Sequence, residues 1–370
     1  MQALGIISFE DRYADVEGLG EYRPVPALSF LGRFRIIDFI LSNMTNSGIN
    51  RVQVYCKEKP RNLFEHLGDG SHFNINSKRG KLGIFYGEKS FSSEIYNHDV
   101  ANYILNMQYI ELDTNPYVVV APSYFVYAMN FNDMLQAHVK SGADVTVLYA
   151  TTSGGKTTAL GCDTLEMDKE HRIVRFGKNR GTRKNIVVST EAYIMRKKLF
   201  IDLVQRASAT SSLYWFKDIL SDLTEELDMR GYAVHGFVGC INSLSDYYRV
   251  SMKLRDHKTA ASLFKPNWPI YTKTHDSIPA RLGSLSSATG SVIANGSQIE
   301  GKVTGTIVSR DCHIGKGAIV KDCIILPHSK IGENVQLDHV IVDKYAVVQH
   351  VKQLKGTDEA PIYVRRRDQI

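Results

Sequence analysis

The sequence predicts an α/β domain built on a mostly parallel sheet, followed by a hexapeptide β-helix domain. Three observations predict it. Strand-like and helix-like stretches alternate from residue 1 to about residue 250, the pattern of helices layered on a parallel sheet. Ile319, Ile325, Ile331 and Leu337 recur every six residues, as do Ile293 and Ile299. A six-residue apolar period marks short strands that each stack an aliphatic side chain on the coil below. Between the two regimes, after Lys265-Pro-Asn-Trp-Pro269, the text becomes short, glycine-punctuated and rich in Ile and Val. The expected division is 1–260 for the α/β domain, 261–284 for a linker and 285–370 for the β-helix.

In chain order, Ala3 to Ser8 reads as a buried strand, and residues 33 to 49 read as a helix with apolar i, i+3, i+4 spacing. A strand over Arg51–Cys56, helical stretches at 62–67 and 100–110, and a strand at 117–121 follow. Next come a helix near 132–140 and strands at 144–149 and 186–195. Ligands in such sheets sit beyond the carboxyl ends of the strands. A β-sandwich with chance spacing is the alternative for the C-terminal part, and it has to produce several coils in phase by accident. His313-Ile-Gly315 and Lys330-Ile-Gly332 repeat one local phrase, as a solenoid requires.

Composition narrows the function classes. The 370 residues are 43% hydrophobic, enough for a sizeable core. No window approaches about 18 uninterrupted apolar residues and no signal-peptide pattern opens the chain, so a soluble, cytoplasmic protein is expected. Cys56, Cys162, Cys240, Cys312 and Cys323 are scattered without a Cys-x-x-Cys pair, which argues against a disulfide framework or zinc site and for small buried residues. A net charge of +6 without a long basic run suits anionic small molecules better than nucleic acid.

The phrase Arg33-Phe-Arg-Ile-Ile-Asp-Phe-Ile-Leu-Ser-Asn-Met-Thr-Asn-Ser-Gly-Ile49 closely resembles the Phe-Arg-Ile-Ile-Asp-Phe-x-Leu-Ser-Asn-x-x-Asn-Ser-Gly-Ile signature of bacterial ADP-glucose pyrophosphorylases (glucose-1-phosphate adenylyltransferases). The similarity runs from the first strand through Asn267-Trp-Pro-Ile270 to the hexapeptide region and is greatest to the non-catalytic, GlgD-like branch of that family. It implies a Rossmann-like nucleotide-sugar transferase domain, a left-handed β-helix and a tetramer. The family reaction joins ATP and glucose 1-phosphate into ADP-glucose and diphosphate by in-line attack on the α-phosphorus, with Mg²⁺ and cationic groups neutralising charge.

Against that pattern the charge-handling parts of this chain are altered. Where the catalytic members carry a Gly-Gly-x-Gly-x-Arg-Leu loop that wraps a triphosphate, this chain has Ser8-Phe9-Glu10-Asp11-Arg12-Tyr13, bulky and partly anionic. The metal-binding Asp positions fall at Ser123 and Cys240, weak or soft ligands for a hard cation. The Lys of Arg-Ala-Lys-Pro falls at Val25, and the Tyr-Arg-Gly-Thr-Ala-Asp-Ala motif has no clear counterpart around Ile95 to Ala101. The resemblance therefore implies a chain with little or no adenylyltransferase activity and no cofactor of its own. It would be a regulatory or structural subunit whose partner is a catalytic, Mg²⁺-using subunit, in a heterotetramer.

Some family positions persist. Lys178 matches the Lys of the Glu-Lys-Pro sugar-phosphate motif, although the Glu position is Gly177. Ser189 and Tyr193 match the Ser-x-Gly-Ile-Tyr segment that contacts glucose 1-phosphate. An equally weighted alternative makes Lys178 a solvated lysine and Tyr193 a core strand residue. Arg23 and Arg35 match two arginines of the family's regulatory anion site, with Tyr22 and Ser29 at the companion Lys and His positions; guanidinium pairs suit phosphate or sulfate. The alternative there is a simple Arg35–Asp38 pair on a helix surface.

Other signals are weaker. Ser153-Gly-Gly-Lys-Thr157 lacks the first glycine of a phosphate loop, Ala150 standing in its place, and reads as an exposed turn. Gly18-Leu-Gly20 lacks the third glycine of a dinucleotide fingerprint. The twelve histidines show no metal-ligand spacing. Arg365-Arg-Arg367 reads as a solvated tail or interface charge. A working nucleotidyltransferase using Asp218 or Asp246 for metal is the second functional reading. A hexapeptide acyltransferase is the third, disfavoured by the large α/β domain.

Overall fold

The computed structural model describes residues 2–9, 16–75, 78, 80–86 and 96–370. Its strands and helices follow in chain order: β1 (Ala3–Ser8), β2 (Ser29–Phe30), β3 (Phe34–Arg35), α1 (Ile36–Asn46), β4 (Arg51–Cys56), α2 (Arg61–Leu67) and β5 (Lys81–Tyr86). Then come α3 (Asp99–Leu105), α4 (Met107–Glu111), β6 (Tyr117–Pro122), β7 (Phe125–Tyr127), α5 (Phe131–Ser141) and β8 (Val145–Thr152). The domain continues with β9 (Asp163–Met167), β10 (Ile173–Lys178), β11 (Ile186–Arg196), α6 (Lys197–Thr210), α7 (Phe216–Asp222), β12 (Met229–Ala233), β13 (Val238–Cys240), α8 (Leu244–Arg255) and α9 (His257–Leu263).

Nine strands form the main sheet, in the order β10-β9-β11-β6-β1-β4-β5, with β8 between β11 and β12. β1 pairs in parallel with β4 and β6, and β4 with β5, because the crossovers return the chain to the same end of the sheet before each next strand. β11 runs antiparallel to both β6 and β8, and the β9–β10 hairpin extends that side. The alternation was legible, but the hairpin and β12 were not. Their faces are half exposed, so they lack the long apolar runs of the central strands.

Helices cover both faces. Ile37, Phe39, Ile40 and Met44 of α1 share one core with Phe131 and Leu135 of α5, while Tyr103, Phe200, Leu203 and Phe216 fill the other face from α3, α6 and α7. The expected helix over 33–49 is shorter at both ends. Arg35 is extended, and its N–H donates to Asp38 Oδ2 at 2.8 Å, so the helix begins at Ile36. Gly48 adopts φ +79° beyond the last turn, which only glycine tolerates freely. The expected helix over 100–110 is broken at Asn106, which ends α3 and precedes α4. Among the described residues no helix is long and apolar enough to cross a membrane.

The polar residues of the α1 signature fasten the segment that connects the two domains. Asn43 donates to Tyr127 O (2.8 Å) and accepts from Met129 N (3.1 Å) and Trp268 Nε1 (2.9 Å). Ser42 Oγ accepts from Tyr271 N (2.8 Å), and Asn46 donates to Pro269 O (2.8 Å). The segment after α9 is thereby strapped along α1 before the β-helix begins with Arg281–Leu282. Against the expected linker of 261–284, α9 reaches Leu263 and the first rung starts at Arg281.

The C-terminal region is a left-handed β-helix of three five-stranded parallel sheets. Its repeat is a coil of three unequal sides rather than a strict six. Ile314 stacks on Ile331 and Val348, and Val320 on Leu337 and Leu354. Both columns step by 17 residues. The expected register fails at one place: Ile319 is 45% exposed, and Val320 fills the core instead. Spacing gives the period, but neighbouring Ile and Val in one short strand leave its phase to packing. Ile307, Ile324, Leu326 and Ile341 face outward from this solenoid into the α1 core, so the domains share one apolar interior.

Candidate functional site

The β9–β10 hairpin, the start of β11, α7 and the loop after Lys178 surround a cleft of about 1010 Å³. Arg175, Lys178, Arg180, Arg183 and Lys217 line it, against Asp163, Glu166 and Asp218. Asn179 shapes the loop: its Nδ2 donates to the carbonyls of Gly155 (2.9 Å), Thr158 (3.0 Å) and Ala159 (3.0 Å), and its Oδ1 accepts from Gly181 N (3.0 Å).

Beside this cleft the β11–β8 ladder slips between Ser189 and Ala192, and Glu191 takes φ +54°. A left-handed backbone costs a non-glycine residue about 1 kcal/mol. Glu191 Oε1 lies 3.0 Å from Lys217 Nζ, which is 3.7 Å from Asp163 Oδ2, and Asp163 Oδ1 is 2.6 Å from Lys178 Nζ. The result is a row of alternating charge, buried except at Lys178, where each carboxylate faces an ammonium. Lys178 therefore does line the cleft, bound to Asp163. Ser189 is buried and its Oγ accepts from Glu191 N at 3.1 Å. Tyr193 is buried with its ring 6.0 Å from Phe216, and burial pushes its phenol well above the ordinary value. Neither Ser189 nor Tyr193 is among the cleft's lining residues. Sequence reasoning missed Asp163, Glu191 and Lys217, although Glu191 stands at the glycine of the Ser-x-Gly phrase and could have drawn notice.

The two expected metal-ligand positions lie at neighbouring strand ends. β1 and β6 end level, with Ser8 opposite Pro122, and Ser123 N donates to Ser8 O at 2.9 Å. β13 pairs with β7, Cys240 opposite Phe125, and Ile241 N donates to Tyr124 O at 2.9 Å, so Cys240 lies two register positions from Ser123 along the ladder. The donors there are a hydroxyl and a thiol. Cys240 Sγ is 3.3 Å from Cys162 Sγ, and burial pushes its thiol well above the ordinary value, so it stays protonated at neutral pH. Mg²⁺ demands hard oxygen donors in near-octahedral array, and this set does not fit it. Phe9 is 2% exposed with its ring edge-on to Trp215 at 5.8 Å, and Val25 is buried in the core. The rest of the altered loop, Glu10 to Tyr13, lies outside the described residues, as does Ile95.

The alternative metal carboxylates each accept a hydrogen bond at a helix start. Asp218 Oδ2 accepts from Trp215 N (3.1 Å) at the start of α7, and Asp246 Oδ2 accepts from Ser243 Oγ (3.0 Å) at the start of α8. Among the described residues, three metal-type donors gather at Asp322, Asp338 and His339 of the β-helix, where Arg255 Nη1 lies 2.8 Å from Asp322.

A second charged site occupies the domain junction. Arg23 Nη2 is 2.5 Å from Oδ1 of the fully buried Asp343, which also accepts from Tyr363 OH (2.8 Å) and Lys344 N (2.6 Å). Burial, then Arg23 and Arg35, lowers the Lys344 ammonium to about 7. Arg35 Nη1 donates to Asn62 O (2.5 Å) rather than to Asp38, whose Oδ1 lies 2.5 Å from His66 Nε2. The Arg35–Asp38 contact is thus through the backbone, not a surface side-chain pair. Arg366 is no solvated tail residue: its guanidinium lies 5.1 Å from the Tyr22 ring and 5.9 Å from the Tyr345 ring. The buried Nε groups of Arg23, Arg310 and Arg366 have no acceptor among the described residues. Such donors, with Lys344 and Arg35, are what a phosphate or carboxylate would satisfy.

The nucleotidyl transferase family model matches residues 17–256, and a GlmU-like C-terminal hexapeptide model matches residues 277–360. The chain is 33% identical to the glycogen biosynthesis protein GlgD of Geobacillus stearothermophilus, over 98% of this chain and 96% of that protein. It is 29% identical to GlgD of Bacillus subtilis (strain 168), over 99% and 96% of the two chains. It is 26% identical to a glucose-1-phosphate adenylyltransferase of Fervidobacterium nodosum, over 90% and 80%. The chain belongs to the nucleotidyl transferase family, with the GlgD proteins and the glucose-1-phosphate adenylyltransferases as its relatives.

Proposed function

We propose that this chain serves glycogen biosynthesis as a non-catalytic regulatory or structural subunit of an ADP-glucose pyrophosphorylase, assembled with a catalytic partner in a heterotetramer. The observation that carries the reading is the pair of metal-ligand positions held by Ser123 and a protonated Cys240 against Cys162. Without carboxylates there, the charge on a triphosphate in transit goes unneutralised, and stabilisation of that charge is the main protein contribution to such chemistry. Mg²⁺ belongs to the partner's site. Arg23, Arg35, Lys344 and Arg366 form a junction that suits an anionic effector such as a sugar phosphate, and occupancy there would bias how the two domains meet. That bias reaches the partner as a coupling free energy between subunits.

The test is ADP-glucose synthesis by this chain alone, by a catalytic subunit alone and by the two mixed, each with and without Mg²⁺. Activity confined to the partner and altered by mixing is expected. Mg²⁺-dependent turnover by this chain alone would overturn the proposal in favour of an active enzyme with a rebuilt metal site. In the mixed assembly, Arg35→Ala should weaken the response to anionic effectors, and an unchanged activation curve would remove Arg35 from that role.

A further inference from the structure

Cys162 and Cys240 belong to segments that the fold brings together from 78 positions apart. Cys162 closes the connection between β8 and β9, and Cys240 is the last residue of β13. Both thiols are free and buried, and their sulfurs are 3.3 Å apart. A disulfide holds its sulfurs about 2.05 Å apart, so closure asks for roughly 1.2 Å of movement. Each sulfur also has a feature that core packing alone does not require. Asn242 Nδ2 donates to Leu160 O at 2.7 Å and lies 3.7 Å from Cys162 Sγ, so an amide N–H faces that sulfur. Cys240 lines a cavity of about 480 Å³ beside α8, with Thr158, His235, Asp246 and Arg249 among its walls. Cys56, Cys312 and Cys323, by contrast, each donate to a backbone carbonyl, those of Glu58, Leu326 and Lys321.

We propose that Cys162 and Cys240 form an oxidation site: a hydroperoxide entering by this cavity converts them to an intrachain disulfide that staples the β8–β9 connection to the turn between β13 and α8. The O–O bond of the peroxide breaks as one oxygen passes to Cys240 Sγ; a sulfenic acid forms, and the thiol proton leaves with the other oxygen as water. Cys162 Sγ then attacks that sulfur. The S–S bond forms, and the sulfenic oxygen leaves with the Cys162 proton as a second water. Two electrons pass from the two sulfurs to the peroxide, and Asn242 steadies the charge that develops on Cys162 Sγ. Burial pushes the Cys240 thiol well above its ordinary value, so the first step is slow at neutral pH and the pair answers sustained rather than brief exposure. The staple lies between two working parts of the fold. Asn179 N donates to Cys162 O at 2.9 Å, which sets the β8–β9 connection against the wall of the charged cleft. On the other side, Tyr248 and Arg255 of α8 donate to Asp322 O (2.6 Å) and Asp322 Oδ1 (2.8 Å) of the β-helix. Oxidation thus ties the cleft wall to the helix that docks the second domain.

The experiment treats the full chain with hydrogen peroxide and then with dithiothreitol, and follows it by thiol counting in denaturant, peptide mass mapping and melting curves. Five thiols should titrate before oxidation and three after it, with the Cys162 and Cys240 peptides joined in one species. The melting midpoint should rise by about 5 °C, because a link between residues 78 positions apart restricts the unfolded chain. Dithiothreitol should reverse both changes, and Cys162→Ala and Cys240→Ala should show neither the link nor the rise. Five thiols retained after peroxide, a link between other cysteines or between chains, or a thiol loss that dithiothreitol does not restore would each overturn the proposal. A midpoint that the link leaves unmoved, or the same rise in either single variant, would do so too. The wild-type peptide map decides the matter even where a variant fails to fold. No partner and no turnover enter the measurement, so its failure leaves the mixing assay for the regulatory subunit untouched.

Discussion

Arg23 and Asp343, 320 positions apart in the chain, meet at 2.5 Å in a pair that is nearly sealed from solvent. This contact joins the segment after β1 to one of the last coils of the β-helix, and Tyr363 OH completes the carboxylate's shell at 2.8 Å. An anion arriving at the junction must compete with Asp343 for Arg23 or use the donors around it.

Arg23→Ala should therefore cost far more than the loss of one surface charge. Removing one partner of a buried pair leaves the other uncompensated, a penalty of about 3–5 kcal/mol. Denaturant unfolding should show a large drop in midpoint for Arg23→Ala, and a smaller one for the double variant Arg23→Met with Asp343→Leu, which removes both charges. A single variant as stable as wild type would show that the pair contributes nothing.

Lys344 should make the junction sensitive to pH. Its folded-state value of about 7 is below that of a free lysine, so between the two the unfolded chain binds more protons than the native one. Stability linked to this group therefore rises as pH increases through that window, and the penalty is fully present below 7. An anion that prefers the protonated ammonium should show the opposite trend, binding more weakly above pH 7 by up to about tenfold per pH unit. Lys344→Met should remove both trends. Titrations with inorganic phosphate at pH 6, 7 and 8 check the second, and a flat profile would exclude Lys344 from the site.

Asn43 should be a stability residue despite its place in the signature that identifies the family. Asn43→Ala strands the Tyr127 carbonyl, the Met129 amide and the Trp268 indole, each of which loses its partner. Unsatisfied buried groups cost roughly 1–3 kcal/mol apiece, so a loss of about 3 kcal/mol is expected after relaxation. Near-wild-type melting would mean that the strap along α1 is held by apolar packing alone.

Sequence by itself determined the class of both domains and the family. β1 and the central strands appear as apolar runs because they are buried on both faces. The solenoid shows its six-residue beat because every coil must stack an aliphatic side chain on the last. The expected change of chemistry was also read from single letters, Ser123, Cys240 and Val25 standing where the resemblance places two carboxylates and a lysine.

Only the tertiary structure decided what the charged residues do. Asp163, Glu191 and Lys217 are separated along the chain and unremarkable alone, yet the ladder slip at Glu191 and the packing of α7 bring them into one buried row. Arg23, read as an anion ligand, already faces Asp343, and Arg366, read as a solvated tail or interface charge, lies against the Tyr22 and Tyr345 rings. The phase of the solenoid at Ile319 and Val320 was settled in the same way. Periodicity is a local property carried by side-chain polarity, whereas partner choice and phase depend on which surfaces the fold brings within a few ångströms.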